Sequence, residues 1–384
     1  SRQYIDLADI KAVVKTLKSK FITQGKNIDK FEKTISKYTN SKYSVAVNSA
    51  TSALHIACLA LGLKKNDYLW TVPNSFVASA NCALYCNANI DFVDIDINNF
   101  NISIQSLENN LVIAKKNNKL PKIVVPVHLG GQPTNQEKIW KLSKKYNFKI
   151  IEDASHSIGA SRKNYKVGSC KWSDIVIFSF HAVKIITTAE GGMALTNNKN
   201  FNNKMRLLRS HGITRDKKIF INKNKNPWNY EQQMLGYNLR MNEIQAALGI
   251  SQMKKISRFI KKRNDIAKIY IKNLKDLPLN FQKIEKGNIS SYHLFIIKLK
   301  FTNKKINQKN LYNFLKKNKI ETNLHYFPIH LQPFYADKGF KKNDYINSEK
   351  YSLTVLSIPI YYSLEIKTQM KIIKIIKNFF KYNN

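Results

Sequence analysis

Between about Tyr43 and Thr196, short β-branched runs alternate with helix-length amphipathic stretches, and no other feature restricts this chain as much. Neighbouring parallel strands need a crossover long enough to hold a helix. The alternation therefore predicts a mostly parallel sheet covered by helices, with right-handed connections. The predicted strands are 43–47, 68–72, 90–93, 122–127, 148–151, 175–178 and 192–195. Helices are predicted at 52–61, 77–86, 104–115 and 136–146. Beyond Asn242 a single long helix is expected over 243–274. A strand at 292–299 and helices at 307–317 and 364–382 follow, which fits a smaller α+β unit. The fold class is thus α/β, with a large domain (1–245) and a connecting helix plus small C-terminal domain (246–384).

The 384 residues leave room for two or three domains with a sizeable core, and 13 Gly and 9 Pro are too few for a collagenous or low-complexity chain. Charge is the unusual quantity: 64 Lys+Arg against 25 Asp+Glu give +39. The lysines are scattered along the whole chain beside many asparagines, which reads as compositional bias and not as a nucleic-acid footprint. A polyanion-binding protein stays the alternative class, and an enzyme acting on a phosphorylated substrate would be steered by the same charge. Cys58, Cys82, Cys86 and Cys170 lack CxxC spacing and read as reduced core residues; no metal site is predicted. The start of the chain has no signal pattern, and no run approaches the roughly 18 apolar residues of a membrane span. A cytoplasmic protein without stable membrane association is expected. The basic amphipathic segment 370–381 fits a packed terminal helix, with a membrane-surface helix as the other reading.

In open parallel sheets ligands bind beyond the carboxyl ends of the strands, so the polar residues there come first. Asn48-Ser49-Ala50-Thr51-Ser52 opens a helix and could cradle a phosphate on free backbone N–H groups, or act as an ordinary N-cap. Phe76 follows the second strand and could offer a flat face or join the core. Glu152, Asp153 and His156 follow the fifth; a strand-end carboxylate there serves either a cationic partner or a helix cap. Residues 172–198 contain one basic side chain, Lys184, although Lys and Arg make up 64 of all 384 residues. Such depletion predicts a buried segment. A desolvated lysine has a lowered pKa, and its neutral amine is the nucleophile of a Schiff base. The alternatives are a pair with Glu190 or a side chain snorkelling to the surface. Phosphate cradle, aromatic face, strand-end anion and buried amine together match the needs of pyridoxal 5′-phosphate (PLP). The glycine-rich turn of a nicotinamide site and the G-x-S-x-G elbow of a hydrolase are both missing.

These residues also resemble those of the DegT/StrS-type sugar-nucleotide aminotransferases, which are fold type I PLP enzymes with a seven-stranded sheet. The likeness runs through Thr23-Gln24-Gly25, Asn48 to His55, Glu152 to His156, Ser179-Phe180-His181 with Lys184, Glu190-Gly191-Gly192, and Gly236 to Arg240. Within that family the chain looks most like the pseudaminic-acid branch, through Trp70 to Ala78, His211 to Asp216 and His325 to Pro333.

The resemblance implies catalytic roles for Lys184, Asp153 and His156. Lys184 would hold the cofactor's aldehyde and, once freed, move the proton; Asp153 would pair with the pyridine nitrogen; His156 would sit near the phenolic oxygen. It implies stacking by Phe76 and phosphate binding by Thr51, Ser52, Ser179 and the Asn238 of a second subunit. Arg215, His325 and Tyr326 would line the sugar-nucleotide pocket. The implied reaction moves an amino group from L-glutamate to C4 of a UDP-linked 4-keto-6-deoxy-N-acetylhexosamine in a homodimer with shared active sites. Its alternatives are another UDP- or dTDP-linked 3- or 4-keto sugar and a catalytically idle PLP-fold regulator. Ala182 replaces a proline that relatives often carry. Lys184 argues against the related dehydratases, which have histidine in its place.

Overall fold

A computed structural model describes residues 2–222 and 226–383. Two helices, α1 (Leu7–Leu17) and α2 (Lys26–Thr39), precede β1 (Tyr43–Val47), α3 (Ala50–Ala60), β2 (Tyr68–Thr71), α4 (Ala78–Leu84) and β3 (Asn89–Phe92). Then come α5 (Ile104–Lys116), β4 (Ile123–Val124), α6 (Gln136–Tyr146), β5 (Lys149–Asp153), a hairpin of β6 (Ser161–Arg162) and β7 (Tyr165–Lys166), β8 (Ile175–Ser179), β9 (Gly192–Thr196) and α7 (Lys199–Arg209). Seven of these strands form one sheet in the order β1-β9-β8-β5-β4-β2-β3. β9 runs antiparallel to both neighbours, and the other six share one direction. The expected α/β fold with its mostly parallel seven-stranded sheet is therefore what the chain adopts. Every residue of β8 is buried, as its continuous Ile-Val-Ile-Phe-Ser run requires of a strand covered on both faces.

The chain continues through β10 (Ile213–Thr214), β11 (Glu231–Gln232), α8 (Glu243–Met253), α9 (Ile256–Leu274), β12 (Leu279–Phe281), β13 (Asn288–Ile289) and β14 (Phe295–Leu299). It ends with α10 (Gln308–Lys317), α11 (Pro333–Ala336), α12 (Ile346–Thr354), β15 (Val355–Ile358) and α13 (Ile366–Asn383). β12, β14 and β15 make an antiparallel sheet carrying a core of its own with α9, α10 and α13. α13 buries Ile372, Ile373, Ile376, Phe379 and Phe380 there, so the terminal segment is a packed helix.

Several boundaries differ from the sequence reading. Expected over 122–127, β4 keeps two residues, because Pro126 has no N–H to give the ladder. The strand expected from Tyr292 begins at Phe295, since Tyr292 has φ +44°. The single helix expected over 243–274 is two. It breaks at Lys255, whose buried ammonium sits 2.5 Å from Asp6 and 2.6 Å from Asp9 of the α1 turn. The line between residues 245 and 246 falls inside α8.

Candidate active site

β5 runs through Asp153, two residues past its expected end, so Glu152 and Asp153 are strand neighbours pointing to opposite faces. Glu152 faces away from the cavity, where its Oε2 lies 2.8 Å from His128 Nε2 and accepts from Gln136 Nε2 at 2.8 Å. Asp153 faces a cavity of about 390 Å³ at the strand ends. Its Oδ2 accepts from Ser79 Oγ at 2.6 Å and its Oδ1 from the Ser155 N–H at 3.1 Å.

The segment between β8 and β9 carries Lys184 and is closed by its own hydrogen bonds. Phe180 N–H donates to Gly191 O, Thr188 N–H to Phe180 O, and Lys184 N–H to His181 O, each at 2.8–2.9 Å. The Lys184 ammonium makes no hydrogen bond or ion pair among the described residues. Burial lowers its pKa to about 8, against the pull of the Asp153 charge. Glu190, the alternative partner, is exposed and lies 3.6 Å from His181 instead. Lys184 is thus half-buried at the chamber wall, with an amine that has no structural task among the described residues.

His156 is buried across the cavity, and burial, followed by the Lys184 charge, holds its imidazole well below the ordinary histidine value. The Gly130 N–H donates to its Nδ1 at 3.4 Å, which leaves the ring proton on Nε2, 3.3 Å from the Tyr326 hydroxyl oxygen. With that oxygen accepting, the Tyr326 proton is free to point at a ligand. His325 lies beside Tyr326 with Nδ1 3.0 Å from Ser357 Oγ; burial, then the Lys184 charge, lowers it to about 4. Val183, Lys184, Asn323, His325 and Tyr326 also border a second chamber of about 480 Å³, so the two chambers meet at Lys184.

Thr51, Phe76 and Ser179 line the first chamber, and Phe76, 57% exposed, is not a core residue. Ser49 caps α3 by accepting from the Ser52 N–H, while the N–H groups of Ala50 and Thr51 have no partner among the described residues. The Ser52 hydroxyl donates to Asn48 at 2.7 Å and does not reach the chamber wall. Asn238 and Arg215 do not line it either: Asn238 bridges to Ser210, and Arg215 covers the Tyr230 ring. Sequence reasoning missed Ser79, whose signal was a hydroxyl in the first turn of a mostly apolar helix. It also missed His293, whose buried ring lies 4.3 Å from that of His156.

These residues fit pyridoxal phosphate. A free amine, an anion held opposite it, an exposed aromatic face and unpaired helix-terminal N–H groups converge on one space. Gly192 completes the cradle, since a Cβ there would come within 2.4 Å of the Ser49 carbonyl and push the α3 N-terminus away.

A model of the DegT/DnrJ/EryC1/StrS aminotransferase family matches residues 3–377. Among characterised relatives, the UDP-4-amino-4,6-dideoxy-N-acetyl-beta-L-altrosamine transaminase of Campylobacter jejuni is 39% identical over 368 residues, covering 96% of this chain and 93% of that protein. The solved structure of Helicobacter pylori PseC, an aminotransferase involved in the biosynthesis of pseudoaminic acid, superposes with a TM-score of 0.88 at 33% identity, covering 100% of this chain and 98% of that one. Streptococcus pneumoniae Spr1654 matches in its PMP-form and PLP-form with TM-scores of 0.90 and 0.89 at 26% and 25% identity, covering 100% of this chain and 99% and 98% of those.

Proposed function

The chain belongs to the DegT/DnrJ/EryC1/StrS aminotransferase family, and we propose that it moves an amino group from L-glutamate to C4 of a UDP-linked 4-keto-6-deoxy-N-acetylhexosamine. That it is a PLP-dependent transaminase of nucleotide sugars follows from the family and the site. The finer reading rests on the 39% identity, along nearly the whole chain, to the altrosamine transaminase.

Bound pyridoxal phosphate supplies a ring that stabilises negative charge at the reacting carbon. The chain's own residues do the rest. Lys184 would hold the aldehyde carbon and, when free of it, would carry a proton on Nζ. Asp153 would set a negative charge at the ring nitrogen and favour its protonation. His156 would lie beside the phenolic oxygen, and Phe76 would stack on the ring. Thr51 and Ser179, which line the first chamber, would bind the phosphate, and Ser52, its N–H and hydroxyl held by Ser49 and Asn48, would support that turn of α3 from behind. His325, Tyr326 and the second chamber receive the sugar nucleotide. Asn238 and Arg215 reach the neighbouring site of a homodimer. Their distance from this chain's own chambers supports that reading, as do the exposed side chains of Leu7, Trp228 and Leu235. The division at residue 245 and a cytoplasmic location belong to the same reading; the four free, buried cysteines support the latter.

The test is to incubate the PLP-loaded protein with L-glutamate and the UDP-4-keto sugar and to follow both products by mass spectrometry. Formation of 2-oxoglutarate and of a 4-amino sugar nucleotide is expected. Turnover of glutamate with this sugar left untouched would overturn the substrate assignment.

A further inference from the structure

Asp153 can act on a ring nitrogen only if its carboxylate plane is held, and two groups hold it. One, the Ser155 N–H, comes with the chain turn. The other is the hydroxyl of Ser79, carried by the first turn of α4 from a different layer of the fold. Ser79 is fully buried and Ser75 nearly so, so water does not compete for either hydroxyl. An ionised carboxylate only accepts, and a serine has one proton to give. At 2.6 Å from Oδ2, Ser79 spends that proton on Asp153. The contact between Ser75 and Ser79 at 2.8 Å must then run from Ser75 to Ser79. The chain of donors has one direction, and it ends on the anion.

We propose that Ser79 is a positioning residue for Asp153, oriented in turn by Ser75. The inference rests on the reading of Asp153 as partner of the cofactor's ring nitrogen and is independent of which sugar is used. Loss of a hydrogen bond to a charged group corresponds to a change of about 10- to 100-fold in an equilibrium.

The experiment compares the full-length apoprotein with Ser79→Ala, Ser79→Thr, Ser75→Ala and Asp153→Asn. It measures the dissociation constant for added PLP, the pH dependence of the bound cofactor's absorption, kcat against KM, and the apoprotein melting temperature. Ser79→Ala should weaken PLP binding at least about 10-fold, displace the absorption profile along the pH axis, and lower kcat more than it raises KM. Ser79→Thr keeps the hydroxyl and should recover most of the loss, and Ser75→Ala should fall between wild type and Ser79→Ala. Wild-type affinity and profile in Ser79→Ala, with Asp153→Asn impaired, would sink the role of Ser79 alone. A Ser79→Thr variant as impaired as Ser79→Ala, at equal melting temperature, would overturn it too, by reducing Ser79 to packing. Asp153→Asn behaving as wild type would remove the underlying reading of Asp153.

Discussion

Lys184 has an ordinary lysine's chemistry and an unusual setting. With its pKa brought down from 10.5 to about 8, half the amines are neutral near pH 8. The rate at which apoprotein captures PLP should therefore climb through that pH and level off above it, which stopped-flow absorbance measures; a rate still rising steeply at pH 10 would show an unperturbed amine. Lys184→Ala should abolish transamination and leave the melting temperature near that of wild type. Neighbouring carboxylates on β5 make the complementary case. Glu152→Gln should lower stability by about 1–3 kcal/mol in thermal unfolding, because buried His128 and Gln136 lose a charged acceptor, while PLP affinity is kept. Asp153→Asn should do the reverse, keeping the fold and losing most activity. Lys184 was legible because one lysine stood in a segment otherwise cleared of positive charge. Which of Glu152 and Asp153 faces the ligand was legible only through the family resemblance, since residues alternate along a strand and the answer from the chain alone turns on where the strand ends.

Among the elements, β1 and α6 were legible to the residue, because their hydrophobic periods run cleanly up to a polar or capping residue. The break between α8 and α9 was hidden, because Lys255 is pulled out of line by acids some 250 positions earlier in the chain. A related long-range device starts α2. Glu243, the first residue of α8, is buried and accepts from the N–H groups of Gly25, Asn27 and Ile28 at 3.0, 2.8 and 3.3 Å, so one helix's first residue caps another helix. Glu243→Ala strands these donors and should cost about 2–4 kcal/mol of stability by denaturant unfolding. A loss below a few tenths would show that water replaces the carboxylate.

At the scale of the molecule, shared active sites can be checked by mixing. Lys184→Ala and Asn238→Ala homodimers should each be nearly inactive, and a mixture allowed to exchange subunits should regain activity, since one site of each heterodimer then has both residues intact. No recovery despite exchange would place Asn238 at its own chain's site. The +39 charge should act on encounter: kcat/KM for the anionic sugar nucleotide should fall several-fold between about 0.05 and 0.5 M salt while kcat holds steady. The overall architecture was legible from the alternation of strands and helices, whereas the meeting of His293 and Tyr326 at the second chamber, and of Ser79 with Asp153 behind the first, depends on packing between distant segments. One detail of that packing reaches further. The loop bearing Lys184 springs from two strands bonded to each other, Ser179 opposite Gly192, and is cross-tied along its length. Such footing works like a crane bolted to the deck: in the proposed reaction the arm would seize its load, let it go and swing a proton across by turning the single bonds of one side chain, with the main chain beneath it tied down.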